Sequence, residues 1–202
     1  MKNRLLSSLV VSSLCGAAAA QAAALFTVSL DTSALIGSPA GPFALDFQLT
    51  DGSGSGDGNN TAVVSNFNFH GGSWGGPASV SLTDSSFFTE FSQTFTAGAS
   101  LSFNVSLTTA VDAGPTPDRF TFALLDKNGF EVPTLGFADE FLGVDLNSAD
   151  PTIETYASDT TRTFLDIAAP TTAPIPEPNS ALLAALLCGC GAVGLWVRRQ
   201  RK

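Results

Sequence analysis

The sequence is short of cysteine and of cationic side chains, and each shortage narrows what the molecule can be. Its three cysteines are Cys15, Cys188 and Cys190, all near the ends. The long stretch between them has none, so a packed apolar core must hold it rather than a disulfide framework. A single histidine, His70, with no thiol in that stretch, lacks the companions that a zinc site requires. Between Leu25 and Ile175 only Arg119, Lys127 and Arg162 are basic, against 17 acidic residues. A surface of that sign repels polyanions, which excludes nucleic acid as a partner. Helical periodicity is missing as well: no segment between residues 25 and 167 carries a convincing apolar stripe of period 3.6.

What that stretch does hold is phenylalanine in alternation. All 16 Phe lie within it. Phe43, Leu45, Phe47 and Leu49 alternate with Ala44, Asp46, Gln48 and Thr50, and Leu101, Phe103, Val105 and Leu107 alternate with Ser and Asn or Thr. Shorter runs repeat the pattern at Phe26-Val28-Leu30, Phe67-Phe69, Val80-Leu82, Phe91 with Phe95, and Phe120-Phe122-Leu124. Strict alternation marks strands with one buried and one wet face. Lys127-Asn128-Gly129-Phe130 places an Asn-Gly hairpin turn, and turn residues crowd 51–60, 71–77 and 112–118. Residues 137–146 fit either a short helix or a further strand. The expected fold is all-β, an antiparallel β-sandwich of jelly-roll-like form over residues 25–167.

The two ends read differently. Lys2 and Arg4 precede an apolar run from Leu5 to Leu14 and a small-residue stretch, which is the layout of a signal peptide over residues 1–24. Cleavage is expected after Ala22 or Ala24. From Ala181 to Val197 no residue is charged, and at 1.5 Å per residue that is about 26 Å of helix, enough to span a thin bilayer. The expected transmembrane helix covers residues 179–197. Arg198, Arg199, Arg201 and Lys202 follow at once, which keeps a basic tail, residues 198–202, in the cytoplasm and the residues before Pro176 outside. Residues 168–178 are rich in Ala, Pro and Thr and read as a semi-rigid spacer that lifts the domain off the membrane.

Ile175-Pro176-Glu177-Pro178, an apolar helix and a terminal arginine cluster together resemble the PEP-CTERM sorting signal of Gram-negative bacteria. Ile175 stands where Val is usual. The resemblance covers the last 27 residues or so and implies an exosortase as processing partner, with Pro176, Glu177 and Pro178 recognised and the basic cluster holding the tail in place. It also implies exopolysaccharide as a neighbour. The localisation that follows is an inner-membrane anchor with the domain in the periplasm, then the cell surface or the medium after C-terminal processing. Asp46 to Gly52, the Gly/Asn run after it, and Ser85-Ser86-Phe87-Phe88 resemble a recurrent group of PEP-CTERM proteins, a likeness that brings no active site with it.

Candidate chemistry in the central region is sparse. Gly71-Gly72-Ser73-Trp74-Gly75 matches G-x-S-x-G, but Gly76 and Pro77 follow where a helix is needed, and His70 precedes the serine. Asp51 and Asp57, in a Gly-rich loop ending at Asn60, are the best sequence candidates for Ca²⁺ ligands. Trp74 and Tyr156 are the aromatic residues of the type that stacks on sugars. Asp139-Glu140, or Glu90 with another strand residue, could pair as glycosidase carboxylates. The expectation is a non-enzymatic structural or carbohydrate-binding surface protein with no cofactor other than a possible Ca²⁺. A secreted glycoside hydrolase and a Ca²⁺-dependent adhesion module are the alternatives.

Overall fold

The structure is a computed structural model that describes residues 23–111, 114, 116–146 and 151–175. Within them the protein is all-β, with one 3-10 turn at Ser33–Leu35. In chain order the strands are β1 (Ala23–Asp31), β2 (Phe43–Thr50), β3 (Thr61–Asn68), β4 (Ser73–Trp74), β5 (Ser79–Thr83), β6 (Phe88–Thr96), β7 (Ser100–Thr108), β8 (Arg119–Leu125), β9 (Leu142–Asp145), β10 (Thr152–Thr155) and β11 (Thr171–Pro174). They form two antiparallel sheets, one ordered β11-β1-β7-β3-β5 and the other β10-β9-β8-β2-β6-β4. The signal helix, Ala22, Pro176, Glu177, Pro178, the membrane helix and the basic tail all lie outside the described residues.

Alternation builds the core. Register sets Phe47 opposite Phe122 in the six-stranded sheet and Val28 opposite Phe103 in the five-stranded one. Opposed residues share one side of a sheet, so each sheet gains an apolar face, and the two faces meet. Phe47 and Phe122 are fully buried and Phe103 is 1% exposed. Phe103 meets Phe47 edge-on at 5.4 Å and Phe122 edge-on at 5.1 Å, the T-shaped geometry that aromatic quadrupoles favour.

β3 shows how one irregularity serves that core. Continuing the period from the buried Ala62 and Val64 would turn Asn66 and Asn68 inward. The register shifts between Ser65 and Asn68, with Asn66 at φ 56°, and Phe67 and Phe69 take the inward side instead. A β-bulge makes that exchange because the extra residue reverses the faces beyond it.

The Asn-Gly turn forms as expected. Gly129 has φ 80°, the Asp126 amide donates to the Phe130 carbonyl at 2.8 Å, and the Asp126 carboxylate accepts from the Asn128 and Phe130 amides. Beyond it only a single bridge, Leu125 to Glu131, continues the pairing. Of the two readings for residues 137–146, the strand holds, as β9 over Leu142–Asp145.

The spacer reading of residues 168–178 needs correction over its described part, which ends at Ile175. Thr171–Pro174 is β11, paired with Phe26 to Ser29 of β1, and the Ile175 amide donates to the Leu25 carbonyl at 2.9 Å. β1 would otherwise expose a row of unpaired backbone groups, and an edge strand tolerates a proline that could not sit in a sheet interior. The chain therefore stays on the domain as far as Ile175. Ile175 lies beside Leu25, so the first and last described residues sit at one end of the sandwich. A cut after Ala22 would keep β1 whole, whereas a cut after Ala24 would remove two of its residues.

Candidate functional site: an acidic groove on the six-stranded sheet

The outer face of the six-stranded sheet carries the chemistry. Residues of β2 and β8 that alternate with the buried Phe and Leu point there: Asp46, Gln48 and Thr50 from one, Arg119, Thr121 and Ala123 from the other. The segment between β8 and β9 folds over this face and brings Glu131, Phe137, Ala138 and Glu140, while β10 and the residue after it bring Glu154 and Tyr156. All of these except Asp46, which is buried beside them, line a groove of about 470 Å³.

Arg119 organises its floor. Its guanidinium pairs with Glu140, with Asp145 and, at 3.3 Å, with Glu154. Gly143 lies beneath the fork: a Cβ there would sit 2.0 Å from Arg119 Nη2. Only a glycine lets β9 pass that close to the guanidinium. Glu140 is 2% exposed, and while Arg119 takes Oε1, its Oε2 has no hydrogen-bond partner. That oxygen is itself enclosed, so a ligand reaches Glu140 only if the side chains around it shift.

The wall opposite is protonatable. Burial pushes Glu131 above the ordinary glutamate range, and Asp139, Glu140 and Glu90 add to the effect as like charges. Asp46, 1% exposed, is pushed up to about 7 by burial and by Glu90, against a hydrogen bond from Gln48 at 2.6 Å. Glu154, by contrast, is held below its ordinary value by the Tyr156 hydroxyl at 2.8 Å and by Arg119, and the same hydrogen bond raises Tyr156. Phe137 is fully exposed at the rim.

The pH dependence of stability follows from Asp46. An aspartate at 3.8 when unfolded and near 7 when folded keeps its proton in the native state over that interval and loses it in the unfolded one. Stability contributed by this group is therefore complete below about pH 4 and falls as pH rises to about 7. Asp46→Asn removes that loss. The variant is expected to match the parent near pH 4 and to exceed it at pH 8 by about 1–2 kcal/mol, a figure already reduced for screening by water in the groove. Thermal melts across pH 4–8 read the difference; parallel curves for the two proteins would refute the assignment.

The sequence candidates fall into three groups. Tyr156 and Glu140 line the groove; Glu90 does not, and acts on the buried Asp46 instead. Asp139 and Glu140, though adjacent, diverge: Asp139 sits at φ 53° and binds Arg162, while Glu140 binds Arg119. Trp74 is elsewhere. Its indole stacks on Phe67 at 4.7 Å and Phe69 at 5.7 Å, its Nε1 donates to the Pro77 carbonyl, and a Cβ on Gly76 would come within 2.3 Å of its ring. With one face on the core and Gly76 against the ring, Trp74 plugs the end of the sandwich and offers no platform for a sugar. Ser73 lies in β4 and not on a strand-to-helix elbow, and His70 is exposed in a turn at φ 36°.

Asp51 and Asp57 are also placed otherwise than a Ca²⁺ loop would have them. Asp51 is fully buried, and its two carboxylate oxygens accept from the amides of Ser53, Gly54, Gly56 and Asp57. It holds the glycine loop in shape from within. Asp57 binds the backbone and side chain of Asn59. Among the described residues no group of three or more His, Cys, Asp or Glu converges as a metal site.

Sequence reasoning missed Arg119 and Glu131. An arginine with three carboxylate partners from 21 to 35 residues away leaves no local pattern. Its scarcity was the available signal, since a region with three basic residues has few ways to balance a buried acid. Set against protein-family models, curated proteins and solved structures, the chain finds no match in any of the three.

Proposed function

We propose that the chain is an exported cell-surface protein that binds saccharide, without cleaving it, in the groove on its six-stranded sheet. The groove itself carries this reading: it is lined by an exposed phenylalanine and a tyrosine together with Gln48, Glu131 and Glu140. Sugars are recognised by such a mixture, apolar C–H faces on an aromatic ring and hydroxyls on carboxylates and amides. The acidic surface argues against polyanionic partners and leaves a neutral or cationic polysaccharide as the fitting class.

The export and anchoring half of the proposal rests on the ends of the sequence. A signal peptide, a transmembrane sorting helix at residues 179–197 and processing by an exosortase at Pro176-Glu177-Pro178 would place the domain in the periplasm first and at the cell surface afterwards. Support comes from the docking of β11, which brings the chain to the sandwich edge one residue before that motif. The alternation of strands β1 to β8 between the two sheets fits a jelly-roll-like wrap, while β8, β9 and β10 follow one another in the same sheet.

Glycan arrays followed by calorimetric titration test the binding. Phe137→Ala and Tyr156→Ala are each expected to weaken it at least tenfold; variants that bind like the parent would sink the groove as the site. One observation favours a second reading, hydrolysis: Glu131, raised, faces the same groove as Glu140, which is tied to Arg119, as an acid and its carboxylate partner would. Release of new reducing ends, lost in Glu131→Gln, would select it.

A further inference from the structure

The glycine loop between β2 and β3 lies over a second acidic cluster, distinct from the groove. Asp84, just after β5, is fully buried, and Asp118, just before β8, is 2% exposed. Asn60 ties them together: its backbone amide donates to Asp84 Oδ2 at 2.9 Å and its side-chain amide to Asp118 Oδ2 at 2.7 Å. Gly52 donates to Asp118 Oδ1 at 2.8 Å. Asn60 thereby holds the two carboxyl groups side by side. Asp84 Oδ1, buried, has no partner.

Two buried carboxyls of one sign need a counter-charge, and this protein has almost none to give. Arg119 is spent on Glu140, Asp145 and Glu154, and Arg162 on Asp139 and Asp159. Lys127 donates to the Pro39 carbonyl. Those three are the only basic residues between Leu25 and Ile175. With all three engaged elsewhere, the pair is neutralised either by a retained proton or by a cation from solution.

We propose that Asp84 and Asp118, clamped together by Asn60, bind a hard divalent cation of the Ca²⁺ type beneath the glycine loop. The donors are all oxygen, which selects Ca²⁺ or Mg²⁺ over zinc or copper. Ca²⁺ fits better because it accepts irregular coordination, whereas Mg²⁺ demands a near-ideal octahedron. Two carboxylates, with water or main-chain carbonyls completing the shell, suit the weak affinity class of extracellular modules, about 10⁻⁴ to 10⁻³ M. Bound there, the cation would join the 51–60 loop to the end of β5 and the start of β8. That end of the sandwich also holds the first described residue, since Ala23 pairs with Thr108 and Leu107 with Ala62.

Calorimetric melts of the full-length chain in detergent at pH 8, with 10 mM CaCl₂ or with chelator at matched ionic strength, test this. The expected rise in Tm on adding Ca²⁺ is roughly 3–10 °C, with uptake of one ion per chain by equilibrium dialysis. Asp84→Asn gives a sign that a merely structural role would not: it melts above the parent in chelator, where it relieves repulsion, and below it in Ca²⁺. Asp31→Asn, an exposed acid at the opposite end, keeps the full shift. Absence of both the shift and the one-to-one uptake overturns the proposal and leaves a proton shared between the two carboxyls. A folded Asp84→Asn chain that still shifts with Ca²⁺ overturns it too.

Discussion

Arg119→Met is expected to lower folding stability by about 3–5 kcal/mol, the range seen when one member of a buried ion pair is removed. The reason lies in what is left behind. Glu140 stays 2% exposed with neither oxygen partnered, while Asp145 and Glu154 lose the cation that gathers three strands and a loop around one point. For a domain of this size the drop in Tm is roughly 6–20 °C. Methionine preserves the length of the stem, so the loss reports charge and hydrogen bonding more than packing. A second substitution separates stability from recognition. Arg119→Met with Glu140→Leu removes both charges and should recover most of the lost stability, because a well-packed apolar pair often equals a buried ion pair. It should not recover saccharide binding, for which Glu140 supplies an acceptor. If the single variant melts within 2 °C of the parent, Arg119 is not the organiser of this face.

That arginine also marks the boundary of what the amino-acid order discloses. The sandwich is legible wherever a strand is long and central: β2 and β7 alternate over their whole length because each has one side on the core and one side turned away. β11 is invisible to the same test. Thr171–Pro174 is exposed at every position, so no apolar residue records its presence, and its place is fixed by backbone hydrogen bonds to β1. Alternation reports burial, and an edge strand without burial leaves no trace in it. The groove is half legible for a related reason. Tyr156 stands out as the one tyrosine, but the raised Glu131 and the paired Glu140 acquire their character only when a loop folds across the sheet. Asp51 has a role that the glycine loop does not announce: its oxygens accept from four of the loop's own amides.

The Gly-Gly-Ser-Trp-Gly run carries the other large expected effect, and its glycines are not equivalent. Two turns cross at that end of the sandwich, the β3–β4 turn and the β6–β7 turn. Gly72 donates to the Phe69 carbonyl at 2.8 Å, and Ala99 donates to the His70 carbonyl at 3.1 Å. The backbones touch. A Cβ on Gly98 would lie 2.0 Å from the Phe69 carbonyl oxygen and 2.4 Å from the Gly72 nitrogen, and one on Gly72 would lie 2.2 Å from the Thr96 carbonyl oxygen. These obstacles are main chain and cannot rotate away, so Gly98→Ala and Gly72→Ala should each cost about 3 kcal/mol or more, beyond the usual range for overpacking. Gly71 stands in open space but at φ 98°, where a side chain is strained; alanine there should cost about 1 kcal/mol. Gly75 has open space and no such φ, so Gly75→Ala should be close to neutral. Denaturant titration of the four single variants would give that order. Were Gly98→Ala as mild as Gly75→Ala, the crossing would be looser than the geometry requires. Should the order hold, the resemblance of this run to a serine nucleophile motif has a structural cause: glycines let two turns pass each other and leave room beside the indole of Trp74.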